Sequence, residues 1–132
     1  MKVMLDTDIC IYLTKRHPPS VLNRLAEYRI GDIGISVVTL AELEYGVSKS
    51  TDSERNQRAL NAFLLPLEIA PFDRSACSHH GKIRTALERK GSPIGSMDLL
   101  IAAHALSLGL LLVTNNEREF RRVPGLRVEN WT

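Results

Sequence analysis

Short apolar blocks alternate along the chain with longer stretches that keep helical spacing. Lys2 to Leu5 reads as a buried strand that stops at Asp6. Asp8 then offers an N-cap for a helix from about Ile9 to Lys15, which His17-Pro18-Pro19 closes. Val21, Leu22, Leu25 and Tyr28 share a face of a second helix that begins near Ser20 and breaks at Gly31. Ile33-Gly34-Ile35 is a second strand, ending at Ser36. Thr39 opens a helix on which Leu40, Leu43 and Val47 line one side. After a polar loop over Ser48 to Glu54, a fourth helix carries Ala59, Leu60, Phe63 and Leu64 as its stripe.

Pro66 ends that helix, and Leu67 to Ala70 is a third strand. Asp73 or Ser75 caps a longer helix that places Ala76, His80, Ile83 and Leu87 on one face. The connector Gly91-Ser92-Pro93-Ile94-Gly95 leads to Ser96, a cap for the helix Met97 to Leu108. That helix is apolar nearly all round, which predicts burial, and Gly109 stops it. Leu110 to Val113 is a fourth strand ending at Thr114, and Leu126 to Val128 a fifth. No repeat or linker interrupts the pattern, which predicts one domain over residues 1–132. Strands alternating with helices predict an α/β fold, a mostly parallel sheet of four to five short strands covered on both faces. The functional crevice of such a sheet lies at the carboxyl ends of its strands.

Composition narrows the function classes. An apolar share of 44% with 24% charged residues is ordinary for a globular chain of 132 residues. An aromatic share of 5% argues against a base-stacking platform, and a net charge of +2 against a polybasic wrap around nucleic acid, leaving room for a local basic patch. Two cysteines, Cys10 and Cys77, make neither a disulfide framework nor a zinc site and fit a reducing cytoplasm. The apolar run at the N-terminus is too short for a signal peptide, and no segment is long enough for a membrane span.

The strand ends deliver acids. Asp6 follows strand one, with Thr7 and Asp8 behind it; Glu42 lies one turn into the helix after strand two; Asp98 lies in the first turn of the buried helix. Asn115, Asn116, Glu117 and Glu119 follow strand four. Carboxylates gathered at one sheet edge oppose each other's ionisation unless a cation joins them. Oxygen donors without cysteine or clustered histidine suit a hard ion, Mg²⁺ or Mn²⁺, which can acidify a water and neutralise charge building on a phosphodiester.

Each acid also has a plainer reading. Glu42 stands three residues after Thr39, as in a capping box. Asp98 is favoured near a helix N-terminus by the helix dipole, and Asp8 by capping. His80 and His104 fall on apolar helix faces, as satisfied core histidines do. Asp6 resists such a reading, because an acid ending a buried strand points into the crevice. Lys82, Arg84, Arg89 and Lys90 precede the connector to Asp98, and Arg118, Arg121 and Arg122 follow strand four. They are either solvated surface or the grip on a phosphate backbone beside the acids.

Four segments carry a resemblance when taken in order. They are Met4-Leu5-Asp6-Thr7-Asp8-Ile9-Cys10-Ile11-Tyr12, Thr39-Leu40-Ala41-Glu42-Leu43-Glu44-Tyr45-Gly46, the run from Pro93 to His104, and Val113-Thr114-Asn115-Asn116-Glu117-Arg118-Glu119-Phe120. Together they closely resemble the VapC toxins, PIN-domain ribonucleases of bacterial toxin–antitoxin modules. The resemblance runs from strand one to Glu129-Asn130-Trp131. It implies a PIN-like three-layer α/β/α fold and an Mg²⁺- or Mn²⁺-dependent endoribonuclease. It further implies inhibition by a cognate VapB antitoxin, operator DNA bound only through that antitoxin, and a homodimer within a larger assembly.

Asp6, Glu42 and Asp98 match the three acids of the family site, Asp6 and Asp98 as metal ligands. Thr7 and Thr114 match its supporting hydroxyls. The implied reaction is in-line attack of a metal-activated water on an RNA phosphodiester. Glu42 would position the water or a second ion, and Asn116 or Glu119 would orient an outer-shell water. Lys82, Arg84, Arg89, Lys90 and Arg118 are the candidates for holding RNA. Enteric-type members that look like this chain cut initiator tRNA in its anticodon stem-loop, which makes that loop the favoured substrate. Two positions depart from the family pattern: Asp8 stands where close relatives usually have Asn, and Asn116 where many PIN domains have a fourth acid, with Glu119 nearby to replace it.

Other readings of the early acid pair fit less well. A haloacid-dehalogenase-type phosphatase needs a later lysine motif, and a response-regulator receiver needs an aspartate ending strand three, where this chain has Ala70-Pro71. The non-enzymatic alternative is a PIN-fold partner that cleaves little and helps an antitoxin bind operator DNA.

Overall fold

A computed structural model of the chain describes residues 1–132. Strands β1 (Val3–Leu5), β2 (Ile33–Ser36), β3 (Glu68–Ala70), β4 (Leu111–Val113) and β5 (Val128–Glu129) form one sheet in the order β3-β2-β1-β4-β5. Every pairing is parallel. Parallel neighbours require crossover connections, supplied here by α1 (Thr7–Arg16), α2 (Pro19–Leu25), α3 (Val37–Ser48), α4 (Ser53–Leu64), α5 (Arg74–Arg89), α6 (Ser96–Ser107) and α7 (Glu117–Phe120).

Strand alternation sorts the core into two layers, as the α/β expectation requires. Val3, Leu5, Leu111 and Val113 face α1 and α2, packing with Ile9, Leu13 and Val21. Met4 and Leu112 face the other way, onto Ile83 and Leu87 of α5 and Ile101 and Ala105 of α6. In β2, a Cβ on Gly34 would collide with the Glu68 carbonyl oxygen, so the β2–β3 approach requires glycine. The far end of the chain is tied down at Trp131, which stacks on Tyr28 at 5.7 Å between ring centroids and lies under the Arg24 guanidinium. No helix is long and apolar enough to cross a membrane.

Three helices start earlier than the capping pattern predicts. Asp6, not Asp8, caps α1, accepting from the Ile9 N–H. Ser36, not Thr39, caps α3, and Gly95 precedes α6 with Ser96 already inside the helix. The cause is common to α1 and α3: each strand runs straight into its helix, so the residue at the strand's end is the nearest acceptor for the free N–H groups. Asp73 caps α5, as one of the two expected residues. The fifth strand lies at Val128–Glu129 rather than Leu126–Val128, because Gly125 (φ 80°) turns the chain just before it.

The strand order sets where a site can form. From β1 the chain builds outward through β2 and β3, then returns to add β4 and β5 on β1's other side. The order therefore reverses between β1 and β4, and their carboxyl ends flank the crevice where ligands bind such sheets.

Candidate active site

Asp6 and Thr114 immediately follow the two strands at that reversal. Asp6 is only 1% exposed. Its Oδ1 accepts from the Ile9 N–H at 2.8 Å, and its Oδ2 accepts from the Thr114 hydroxyl at 2.5 Å. Burial pushes the Asp6 carboxyl up from 3.8 to about 7. The hydrogen bonds from Thr114 and Ile9 oppose that rise, and the negative charges of Asp8 and Asp98 add to it.

The start of α3 decides what Glu42 does. With Ser36 as cap, Thr39 lies inside the first turn and is fully buried, so the capping-box reading of Glu42 does not hold. Glu42 instead accepts a 2.5 Å hydrogen bond from the Thr7 hydroxyl at Oε1. The Thr39 hydroxyl lies 3.2 Å from that of Thr7 and completes a chain of oxygens linking α1 to α3. Thr39 was legible only as a cap; its role as a buried partner of Thr7 depends on a helix crossing that local pattern does not encode.

Asp98 lies half-buried in the first turn of α6. Burial raises its carboxyl from 3.8 to about 6, with further repulsion from Glu119, Asp8 and Glu42. Glu119 holds the start of the same helix: its Oε1 accepts from the Gly95 N–H at 2.6 Å, and its Oε2 from the Asn116 side-chain amide at 3.0 Å. That backbone donor, more than any neighbour, keeps Glu119 below the usual carboxylate range. Asn116 and Glu119 thus work as a unit, with Asn116 also donating its N–H to the Thr114 hydroxyl oxygen at 2.8 Å. Gly95 has no side chain to cap α6, and Glu119, 24 residues away, takes that part.

The basic residues distribute differently. Lys82 and Arg89 line a hollow of about 510 Å³ on the outer side of α5, together with Cys77, Gly81 and Thr85, and none of the acids borders it. Arg84 pairs with Glu88 on the same helix at 3.5 Å, while Lys90 and Arg118 are exposed. His104 is buried, with Nδ1 2.7 Å from the Ser36 hydroxyl and Nε2 without a partner, so it is only half satisfied. His80 is half-buried on α5.

The donor set fits a divalent cation. Asp6, Asp8, Glu42, Asp98 and Glu119 belong to none of the four ion pairs in the structure, and only Glu119, through the charge of Arg122, has a side-chain cation near enough to favour its ionised form. No three of them already enclose an ion-sized space. Mg²⁺ needs no such cage, because it usually keeps several waters and binds through one or two carboxylates. The buried Asp6 and the half-buried Asp98, both raised by their surroundings, are the carboxyls such an ion would ionise.

Comparison with known proteins places the chain among relatives. The PIN domain family matches residues 3–126. Ribonuclease VapC2 of Rickettsia felis is 49% identical over 132 residues, covering 99% of this chain and 98% of that protein. The tRNA(fMet)-specific endonuclease VapC of Shigella flexneri is 47% identical, covering 100% and 99%. Among solved structures, that of VapBC2 from Rickettsia felis, bound to a DNA fragment from its promoter, superposes with a TM-score of 0.93 at 48% identity and covers all of both chains.

Proposed function

Because the chain belongs to the PIN-domain family and, within it, to the VapC ribonucleases, we propose that it is an Mg²⁺- or Mn²⁺-dependent endoribonuclease, the toxin of a toxin–antitoxin pair. The observation that carries this reading is the buried, uncompensated Asp6 at the sheet's reversal point, sharing its field with Asp98. Asp6 and Asp98 would hold the cation. When bound, the ion supplies an acidified water and neutralises charge on the phosphodiester. Glu42, steered through Oε1 by Thr7, orients the attacking water and takes its proton at Oε2. Thr114 keeps Asp6 in its rotamer, and Asn116 with Glu119 fixes the start of α6, which bears Asp98.

The identity to the Shigella flexneri tRNA(fMet)-specific endonuclease favours initiator tRNA as substrate, and the resemblance to enteric VapC toxins points to its anticodon stem-loop. The Rickettsia felis VapBC2–DNA complex favours an antitoxin partner and an assembly that binds promoter DNA; the resemblance to VapC toxins adds a homodimer, with the DNA held through the antitoxin. The test is cleavage of purified initiator and elongator tRNAs by the wild-type chain and Asp6→Asn, with Mg²⁺ or with chelator. Cleavage that needs both Asp6 and the ion is expected. Undiminished cleavage by Asp6→Asn, or by the chelated protein, would overturn the reading.

A further inference from the structure

A second hollow, of about 320 Å³, lies along α1 and is lined by Asp8, Ile11, Tyr12, Lys15, Arg16 and Asn115. One end abuts the acids: Asp8 is two residues beyond Asp6, and Asn115 directly follows the threonine that holds Asp6. The other end is basic. Lys15 and Arg16 are exposed and belong to none of the ion pairs of the structure. Positions 8, 12, 15 and 16 share one helix face, and Asp8 to Arg16 spans about 12 Å along it. The half-buried Tyr12 forms the wall between the two ends.

Cations in the last turn of a helix complement its dipole. That role is local and needs neither a hollow nor a path to the acids. Here the hollow is present and borders Asp8, whose charge acts on both Asp6 and Asp98, whereas the hollow of Lys82 and Arg89 borders no acid of the site. A polyanion reaching the carboxylates needs positive charge beside them, because the acids themselves repel it.

We propose that the α1 hollow seats the RNA backbone flanking the scissile bond, with Lys15 and Arg16 on its phosphates and Asn115 on the adjoining phosphate or sugar. This rests on the ribonuclease reading and adds to it the face along which substrate enters. An acidic segment of a protein partner is the competing occupant.

The test measures binding of an anticodon stem-loop RNA across a salt series, in an Asp6→Asn background that blocks turnover. Lys15→Gln/Arg16→Gln should weaken binding on the order of tenfold and flatten the log-affinity against log-salt slope by about 1.4 to 1.8, the share of two phosphate contacts. Arg55→Gln/Arg58→Gln on α4 removes the same net charge elsewhere and should flatten it far less. With Asp6 intact, the α1 pair should raise KM more than it lowers kcat, and Lys15→Arg/Arg16→Lys should recover most of the loss. Circular dichroism establishes that α1 persists. An unchanged slope, or equal effects of the two pairs, overturns the proposal while wild-type cleavage leaves the ribonuclease reading standing. Unaltered RNA binding with weakened antitoxin binding assigns the hollow to the protein partner, and overturns it too. A wild-type chain that neither binds nor cuts RNA takes down both.

Discussion

Thr114 donates its hydroxyl hydrogen to Oδ2 of Asp6 across 108 residues of sequence, and its oxygen in turn accepts the Asn116 N–H. This places one side chain at the junction of β1, β4 and the turn into α7, the helix that carries Glu119. The carboxylate of Asp6 is thereby fixed at both oxygens, since Ile9 holds the other. A ligand immobilised by two fixed donors needs little reorganisation when a cation arrives.

Thr114→Val keeps the shape and removes the hydroxyl. It strands the Asn116 N–H and frees Oδ2, so the protein should lose about 1–3 kcal/mol in urea unfolding. The Asp6 carboxyl should rise still higher, because its strongest pKa-lowering contact is gone. RNA cleavage at pH 7 should fall on the order of tenfold, while Thr114→Ser stays near wild type. Unchanged stability and cleavage in Thr114→Val would show that the hydroxyl is dispensable.

The raised Asp6 carboxyl has a consequence for stability with a definite sign. Its value is 3.8 in the unfolded chain and about 7 when folded. The folded state therefore binds the proton more tightly, and this contribution is full below about pH 4 and lost as pH climbs to about 7. Asp98 acts in the same sense between 3.8 and about 6. In metal-free protein, wild type should lose thermal stability from pH 5 to pH 8 more steeply than Asp6→Asn. At pH 8 the variant should melt higher, on the order of 5 °C. Mg²⁺ should restore the wild type at that pH and leave the variant unmoved. Parallel melting curves for the two proteins would contradict the burial of a charged Asp6.

Much of this site was legible because burial and charge conflict visibly in the sequence. An apolar run ending in Asp6 and a helix apolar all round that opens with Asp98 each announce a carboxylate where none is comfortable. Helix starts were less legible, because Asp6, Asp8, Ser36 and Thr39 all satisfy capping preferences and only the absence of loops between strand and helix selects among them. The Glu119–Gly95 contact was beyond local pattern, since it joins α7 to the connector before α6. Lys15 and Arg16 were hidden differently: cations ending a helix are ordinary, and only the fold lays them beside Asn115.

The charge of Asp8 helps to raise both Asp6 and Asp98. Asp8 is exposed and caps nothing, so Asp8→Asn should leave the helix intact. Both carboxyls should titrate lower in carbon-detected NMR, with the protein gaining stability at pH 8. Removing one negative charge from the cation's surroundings should also weaken Mg²⁺ binding severalfold by calorimetry. Identical titration curves would mean that solvent screens Asp8 from the site.

Glu42 and Thr7 can be separated by what each substitution leaves behind. Glu42→Gln keeps a carbonyl oxygen to accept from Thr7, so α1 and α3 stay linked, yet it cannot take a proton. Thr7→Val keeps the carboxylate and frees it to turn. With Glu42 as the base, Glu42→Gln should lower kcat on the order of 10²- to 10⁴-fold. Thr7→Val should cost less, because the basic group survives and only its aim is lost. Equal losses in the two variants would make Glu42 a positioning residue, and the proton acceptor would have to be sought elsewhere in the cleft.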